Sequence, residues 1–198
     1  MRRHNPIARA ALALGLTLSL SLTPQLARTA EATVVVQLDR ARLVRDADLV
    51  VRATIGNARS MWNEDHTQIV TLTTLTVTQY IKGSDGAELV LRQFGGQVDG
   101  LMSRVSGDAQ FEPGQDVVLC LRRGAGVVYL TALAQSVWFL TPQTNGAPMA
   151  ARDLAGLTFT QLRDGQYQVI EHPAAEPRET AAALLTSLSR LVANRSAR

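Results

Sequence analysis

Nine of the twelve residues from Thr67 to Thr78 are β-branched, and this run constrains the fold more than any other part of the chain. Two heavy atoms on Cβ restrict χ1 in a helix but pack well on a pleated sheet. The run therefore reads as one long strand. Its inward residues are Val70 and Leu72, then Leu75 and Val77. The step of three between the pairs is a phase slip near Thr73-Thr74. A continuous strand that changes phase carries a β-bulge, which bends it. Bent long strands are what a small sheet needs in order to close.

The flanking sequence supplies the other strands. Leu49, Val51, Ala53 and Ile55 alternate with Val50, Arg52 and Thr54, a half-buried strand that ends at the turn or bulge signal Gly56-Asn57. Met61 to His66 reads as a loop carrying Trp62. Lys82 to Gly86 is a turn, and Leu89 to Phe94 the next strand. Gly95-Gly96 begins a loop to about Gly114, with a short strand near Ser103 to Ser106. After Pro113-Gly114, every residue from Val117 to Leu121 is apolar, as expected of a strand covered on both faces. Gly124-Ala125-Gly126 turns the chain into Val127 to Leu133, and Ser136 to Leu140 is a further short strand. The pattern predicts a mainly β fold built on a small closed β-barrel.

Two helices flank it. Leu38, Ala41, Val44 and Ala47 recur on one side of a short N-terminal helix. Leu184, Leu188 and Leu191, with Leu185 and Val192 beside them, make Glu179 to Ala193 an amphipathic C-terminal helix. Between barrel and helix the signal is weaker. Asn145-Gly146 marks a hairpin tip, Gln166 to Ile170 a late strand, and His172 to Pro177 a linker. The expected division is a signal peptide over 1–32, a barrel domain over 33–140, and a hairpin, linker and helix extension over 141–198.

The first segment reads as a secretory signal. Arg2 and Arg3 precede the apolar run Ala8 to Leu22, and Ala30-Glu31-Ala32 places small residues ahead of a cut before Thr33. The apolar run is short of the roughly 20 residues that a spanning helix needs. The expectation is export to the periplasm or the medium, with no stable membrane insertion after cleavage. Arg2, Arg3, Arg9, Arg28 and Glu31 leave with the signal, so 16 basic and 16 acidic residues remain. A balanced surface makes no electrostatic case for nucleic acid. Cys120 is the only cysteine and lies in an apolar run, where it reads as a small buried hydrophobe.

Few residues point to chemistry. His66 and His172 have no metal-ligand spacing, and there is no HExxH, no paired cysteine and no G-x-S-x-G. No catalytic, cofactor-binding or metal-ligating residue is assigned. Glu64, Asp65 and His66 are adjacent, but successive side chains point apart, so a solvated turn is expected there. Trp62 is the one large aromatic in a polar loop. Such residues are enriched at binding surfaces; the competing reading folds Trp62 back as a plug on one barrel end. Trp138, within Ser-Val-Trp-Phe-Leu, reads as core.

Ala47-Asp48, Val50-Val51, Trp62, Lys82-Gly83, Gly95-Gly96, Val105, Gly107, Phe111 and Gly114 together carry a resemblance. Their order resembles a group of uncharacterised secreted bacterial proteins. It is also similar to the N-terminal OB-fold of the tissue inhibitors of metalloproteinases. The resemblance covers about residues 38 to 123 and implies that the barrel is OB-like. It implies a contact wedge from the mature N-terminus, Thr33 to Val36, and the loop Met61 to His66. The candidate partner contacts are thus Thr33, Trp62, Asn63, Glu64, Asp65 and His66. In those inhibitors the mature chain begins with a cysteine that chelates zinc, whereas this one would begin at Thr33. Arg52 and Gln115 depart from the glycine and glutamate of the bacterial pattern. The expected function is a secreted or periplasmic, non-catalytic binding module. Its expected partner is an extracellular protein, with a protease as one candidate. The alternative is an envelope-associated enzyme or a carbohydrate-binding accessory protein.

Overall fold

The computed structural model describes residues 32–171 and 178–196. The expected signal segment, apart from Ala32, and the linker His172–Pro177 lie outside the described residues. The chain is mainly β. In order, it runs β1 (Thr33–Val36), α1 (Arg40–Asp46), β2 (Leu49–Trp62), β3 (Ile69–Lys82), β4 (Glu88–Val98), β5 (Leu101–Arg104) and β6 (Asp116–Arg123). It continues through β7 (Val128–Leu130), β8 (Val137–Gln143), β9 (Gly146–Ala151), β10 (Leu157–Arg163), β11 (Gln166–Val169), β12 (Glu179–Thr180) and α2 (Ala181–Ser196).

Five strands close a barrel. Strand β2 lies antiparallel between β3 and β6, and β4 is antiparallel to β3. Closure comes from β7, antiparallel to β6 and parallel to β4 at Leu91↔Val128. The apolar run of β6 serves two cores by strict alternation. Val117, Leu119 and Leu121 point into the barrel with Val51, Leu75 and Leu91. Val118 and Cys120 point the other way, against Trp138, Leu43, Leu184 and Leu188. That second layer is why every position in the run is apolar.

A bulge does lie at Thr73-Thr74, but its extra residue is on the partner strand β2 and not on β3. Strand β3 pairs with β4 without interruption from Val70 to Thr76. Against β2, the register shifts between Ile55 and Ala58, where Gly56-Asn57 on β2 oppose a single β3 residue. Two further shifts place extra residues on β3, at Thr78 and Ile81. The inward place in β3 belongs to Thr73, which is buried, ahead of Leu75 and Val77; Val70 and Leu72 belong to neither core. A buried threonine on an inward face mimics a change of phase to any apolar pattern.

Two expected loops begin as strand. Strand β2 continues through Met61 and Trp62, paired with Val70 and Ile69. Strand β4 continues through Gly95-Gly96 and pairs with β5 to make a two-stranded ribbon. Its turn is Asp99-Gly100, with φ of 51° and 78°, the left-handed pair that a tight two-residue hairpin requires.

Helix α1 is capped by Asp39, whose side chain accepts from Arg42 N at 2.6 Å. It buries Leu43 and Val44, while Ala41 is exposed, so its apolar face is rotated from the expected one. Leu184 and Leu188 of α2 are fully buried, with Leu185, Leu191 and Val192 partly so. Thr180 caps α2 by accepting from Ala183 N at 3.2 Å. Strands β8 and β9 form the expected hairpin at Asn145-Gly146, and β8 extends the barrel sheet from β6. A separate three-stranded sheet joins β1 parallel to β10, and β10 antiparallel to β11.

Candidate functional site

The hairpin end of β2 and β3 carries most of the expected contact residues. Asn63 organises it. Its Oδ1 accepts from Thr67 N at 2.8 Å and Gln68 N at 3.0 Å, and its Nδ2 donates to Thr67 Oγ1 at 2.9 Å. His66 takes a positive φ of 53°, which brings its ring to 6.3 Å from that of Trp62, inclined by 30°. Trp62 is half-buried, pairs with Ile69 and belongs to neither core. Glu64, Asp65 and His66 are exposed.

Thr33 stands in a different setting. Its Oγ1 donates to Ser106 O at 2.5 Å and its N donates to Gly156 O at 3.0 Å. It thus begins β1 beside the segment after β5, and shares no hydrogen-bond partner with Trp62 or Asn63.

A groove opens where the barrel's inner face turns polar. Its floor is Thr71 and Thr73 of β3 with Ala58 of β2, one wall is the β4–β5 ribbon, and the other is Asp108 to Phe111. Its volume is about 350 Å³. The ribbon is held down by Thr71 Oγ1, which donates to Gly95 O at 2.7 Å and lies 2.9 Å from Ser60 Oγ. Gly96 presses on the same two side chains: a Cβ there would stand 2.5 Å from Thr71 Oγ1. Ala58, Ser60 and Trp62 alternate on one face of β2 without a register break. Trp62 therefore shares the face of the groove floor, beyond the crossing of Gly96.

Asp108 is the groove's carboxylate. Burial pushes its pKa up from the ordinary carboxylate value, opposed by hydrogen bonds from Gln93 and from Ala109 N; the Ala109 bond to Oδ1 is 2.9 Å long. Gln93 Nε2 also donates to Ala109 O at 2.9 Å, which fixes the far wall to β4. Thr73 is 1% exposed. Its hydroxyl has no hydrogen-bond partner among the described residues, and it is not among the buried side-chain atoms that water cannot reach. Arg104 is exposed on the rim, and Met102 beside it is 75% exposed. Phe111 packs on Phe139 at 6.0 Å. A second cleft adjoins the first, shares Arg104 and Asp108, and adds Asp153 and Gly156.

The groove was missed in the sequence, although two signals point to it. Thr71 and Thr73 continue the inward alternation of Leu75 and Val77 with polar residues, and Asp99-Gly100 marks the ribbon turn. The departures from the bacterial pattern lie outside the groove. Arg52 makes a bidentate pair with Asp116, with Nη2 to Oδ2 at 2.5 Å, and Gln115 Oε1 accepts from Glu112 N at 2.9 Å.

Among the described residues, no group of three or more His, Cys, Asp or Glu side chains could hold a metal. No helix there is long and apolar enough to cross a membrane. No protein-family model matches the chain, and no curated protein matches it.

Proposed function

We propose that this chain is a secreted or periplasmic, non-catalytic binding module. The observation that carries the reading is the open groove at the end of a rigid barrel, walled by an exposed ribbon. Its lining holds hydrogen-bonding side chains and apolar surface, with neither a histidine nor a cysteine to act as nucleophile or base. Binding sites on rigid scaffolds combine such features. Trp62 lies on the face of the groove floor, and it and the adjoining turn Asn63 to His66 would extend the contact surface toward an extracellular protein, for which a protease is one candidate. Thr33 is bonded to Ser106 and Gly156, which line the second cleft, and would contribute from beside it. The test is capture from culture supernatant with the signal-free chain as bait. Wild type retains a partner that Trp62→Ala loses, while the melting temperature stays within a few degrees. Retention of the partner together with a collapse in stability would move the contact surface away from Trp62. Mass spectrometry of the exported chain tests the compartment; an N-terminus at Thr33 is expected, and full-length chain in the cytosol would overturn it.

A further inference from the structure

We propose that the groove between the β4–β5 ribbon and residues 108–111 binds a neutral carbohydrate chain. The inference rests on the reading of the chain as a binding module and names the ligand of one of its surfaces.

Charge excludes most alternatives. The groove is lined by one acid, Asp108, and one base, Arg104. An anion seated there meets a half-buried carboxylate, and a cation meets a guanidinium. A neutral ligand with both donors and acceptors can satisfy the two together. Asp108 Oδ1 accepts from Ala109 N and the Gln93 side chain also bonds the carboxylate; its remaining lone pairs can accept from a ligand hydroxyl. Arg104 donates only. Gln93 spends Nε2 on Ala109 O and keeps its carbonyl oxygen as an acceptor.

Thr73 is the second, independent observation. Its hydroxyl has no protein partner among the described residues and stays within reach of water, so a ligand hydroxyl can take that water's place. Thr73 Oγ1 opens on the groove floor and can both donate and accept, as a sugar hydroxyl can. Phe111 and Met102 line the same space and offer apolar surface to the C–H face of a ring. The volume, about 350 Å³, lies at the small end of the roughly 300–1,000 Å³ usual for ligand clefts. The polar atoms are side-chain groups from β3, β4, β5 and the 108–111 segment. They converge on a concave floor rather than following a strand edge, so the arrangement suits hydroxyl groups better than the backbone of an added peptide strand.

The test uses the purified signal-free chain and three neutral probes, cellohexaose, maltohexaose and chitohexaose, titrated by NMR and calorimetry. At least one is expected to bind, with shifts at Thr73, Gln93 and Asp108. Thr73→Val and Asp108→Asn should each weaken that binding at least tenfold, and Thr76→Val on the outer surface should not. Two results overturn the proposal: no binding of any probe at millimolar concentration, or binding unchanged in both groove variants. A protein captured from supernatant that is lost with Thr73→Val would overturn it too, in favour of a peptide ligand. Loss of protein capture by Trp62→Ala with hexasaccharide binding intact concerns the Trp62 end of that face, outside the groove lining, so the two readings can fail separately.

Discussion

Lys82 Nζ donates to the carbonyl oxygen of Val44 at 2.7 Å, and this bond ties the long hairpin of the barrel to helix α1. The same ammonium group reaches Arg45 O at 3.3 Å and also Ala47 O. The only lysine in the chain thus sits where the last carbonyls of a helix lack partners and where the helix dipole favours a cation. Gly83 completes the joint. At its φ of +70°, a Cβ would stand 2.8 Å from Asp48 O. Ala47-Asp48 and Lys82-Gly83 look like separate motifs in the sequence; in the fold they are two sides of one contact.

Lys82→Met should therefore destabilise the chain. Hydrogen bonds to charged groups contribute about 1.5–3 kcal/mol each, and the variant strands carbonyls that its thioether cannot serve. Urea unfolding should show a loss in that range. A loss below about 0.5 kcal/mol would mean that water replaces the ammonium at no cost.

The two faces of the barrel sheet should respond unequally. Leu119 is fully buried in the barrel core, so Leu119→Ala should cost about 2–5 kcal/mol. Thr76 is exposed on the outer face, and Thr76→Ala should cost under about 0.5 kcal/mol. Equal effects in denaturant melts would contradict the assigned facing.

How much of this could be read beforehand depended on the kind of signal. Strands β2, β3 and β6 were legible because β-branched and alternating residues leave a helix no apolar stripe. Helix α2 was legible because its leucines recur at helical spacing. The ribbon was not, since Gly95-Gly96 reads as a break until a partner strand is seen to pair across it. The groove floor was hidden for a related reason. Thr73 is buried but polar, and an apolar pattern registers it as a slip in phase. Trp62 stood out as a large aromatic in a polar loop, open to both a contact and a plug reading, and its stacking on His66 depends on a positive φ that no pattern of residue types reveals.

Cys120 should be inert until the chain unfolds. Burial pushes its thiol from an ordinary value of 9.0 up to about 12, and the thiolate is the reactive form. A thiol reagent at mildly alkaline pH should label it only in denaturant. The sign of the linked effect is fixed. The unfolded thiol ionises above about 9 while the folded one keeps its proton to about 12, so this group lowers stability as pH rises through that window. Cys120→Ala or Cys120→Val should remove that part of the alkaline slope; an unchanged slope would assign it to other groups.

Gly96 should be far less replaceable than Gly100. Both take positive φ, 133° and 78°. A Cβ at Gly100 meets nothing within 4 Å, whereas at Gly96 it strikes Ser60 and Thr71. Gly100→Ala pays only the left-handed backbone term of roughly 1–2 kcal/mol. Gly96→Ala adds the collision and should break the Thr71 bond that holds the ribbon down. A difference of at least about 1 kcal/mol between the two variants is expected, with faster amide exchange in β5 for Gly96→Ala alone. Matching losses would show that the ribbon does not press on Ser60 and Thr71.

Asp108 should prove to be a residue that the fold would be more stable without. Its carboxyl is held above the ordinary value, first by burial, and the hydrogen bonds from Gln93 and Ala109 do not fully offset this. A carboxylate raised in this way binds its proton more readily in the folded state than in the unfolded one. Its ionised form at neutral pH therefore costs stability, and the cost fades as pH falls through the raised folded value. Asp108→Asn keeps an oxygen to accept from Ala109 N and removes the buried charge. It should melt above wild type at neutral pH, and the gap should close toward the ordinary carboxylate value of 3.8. Thermal scans across that range decide the matter. A variant less stable than wild type at neutral pH would show that the Gln93 and Ala109 bonds outweigh desolvation. If the same substitution raises the melting temperature and weakens hexasaccharide binding, the opposite signs identify Asp108 as a group retained for its ligand at the expense of stability.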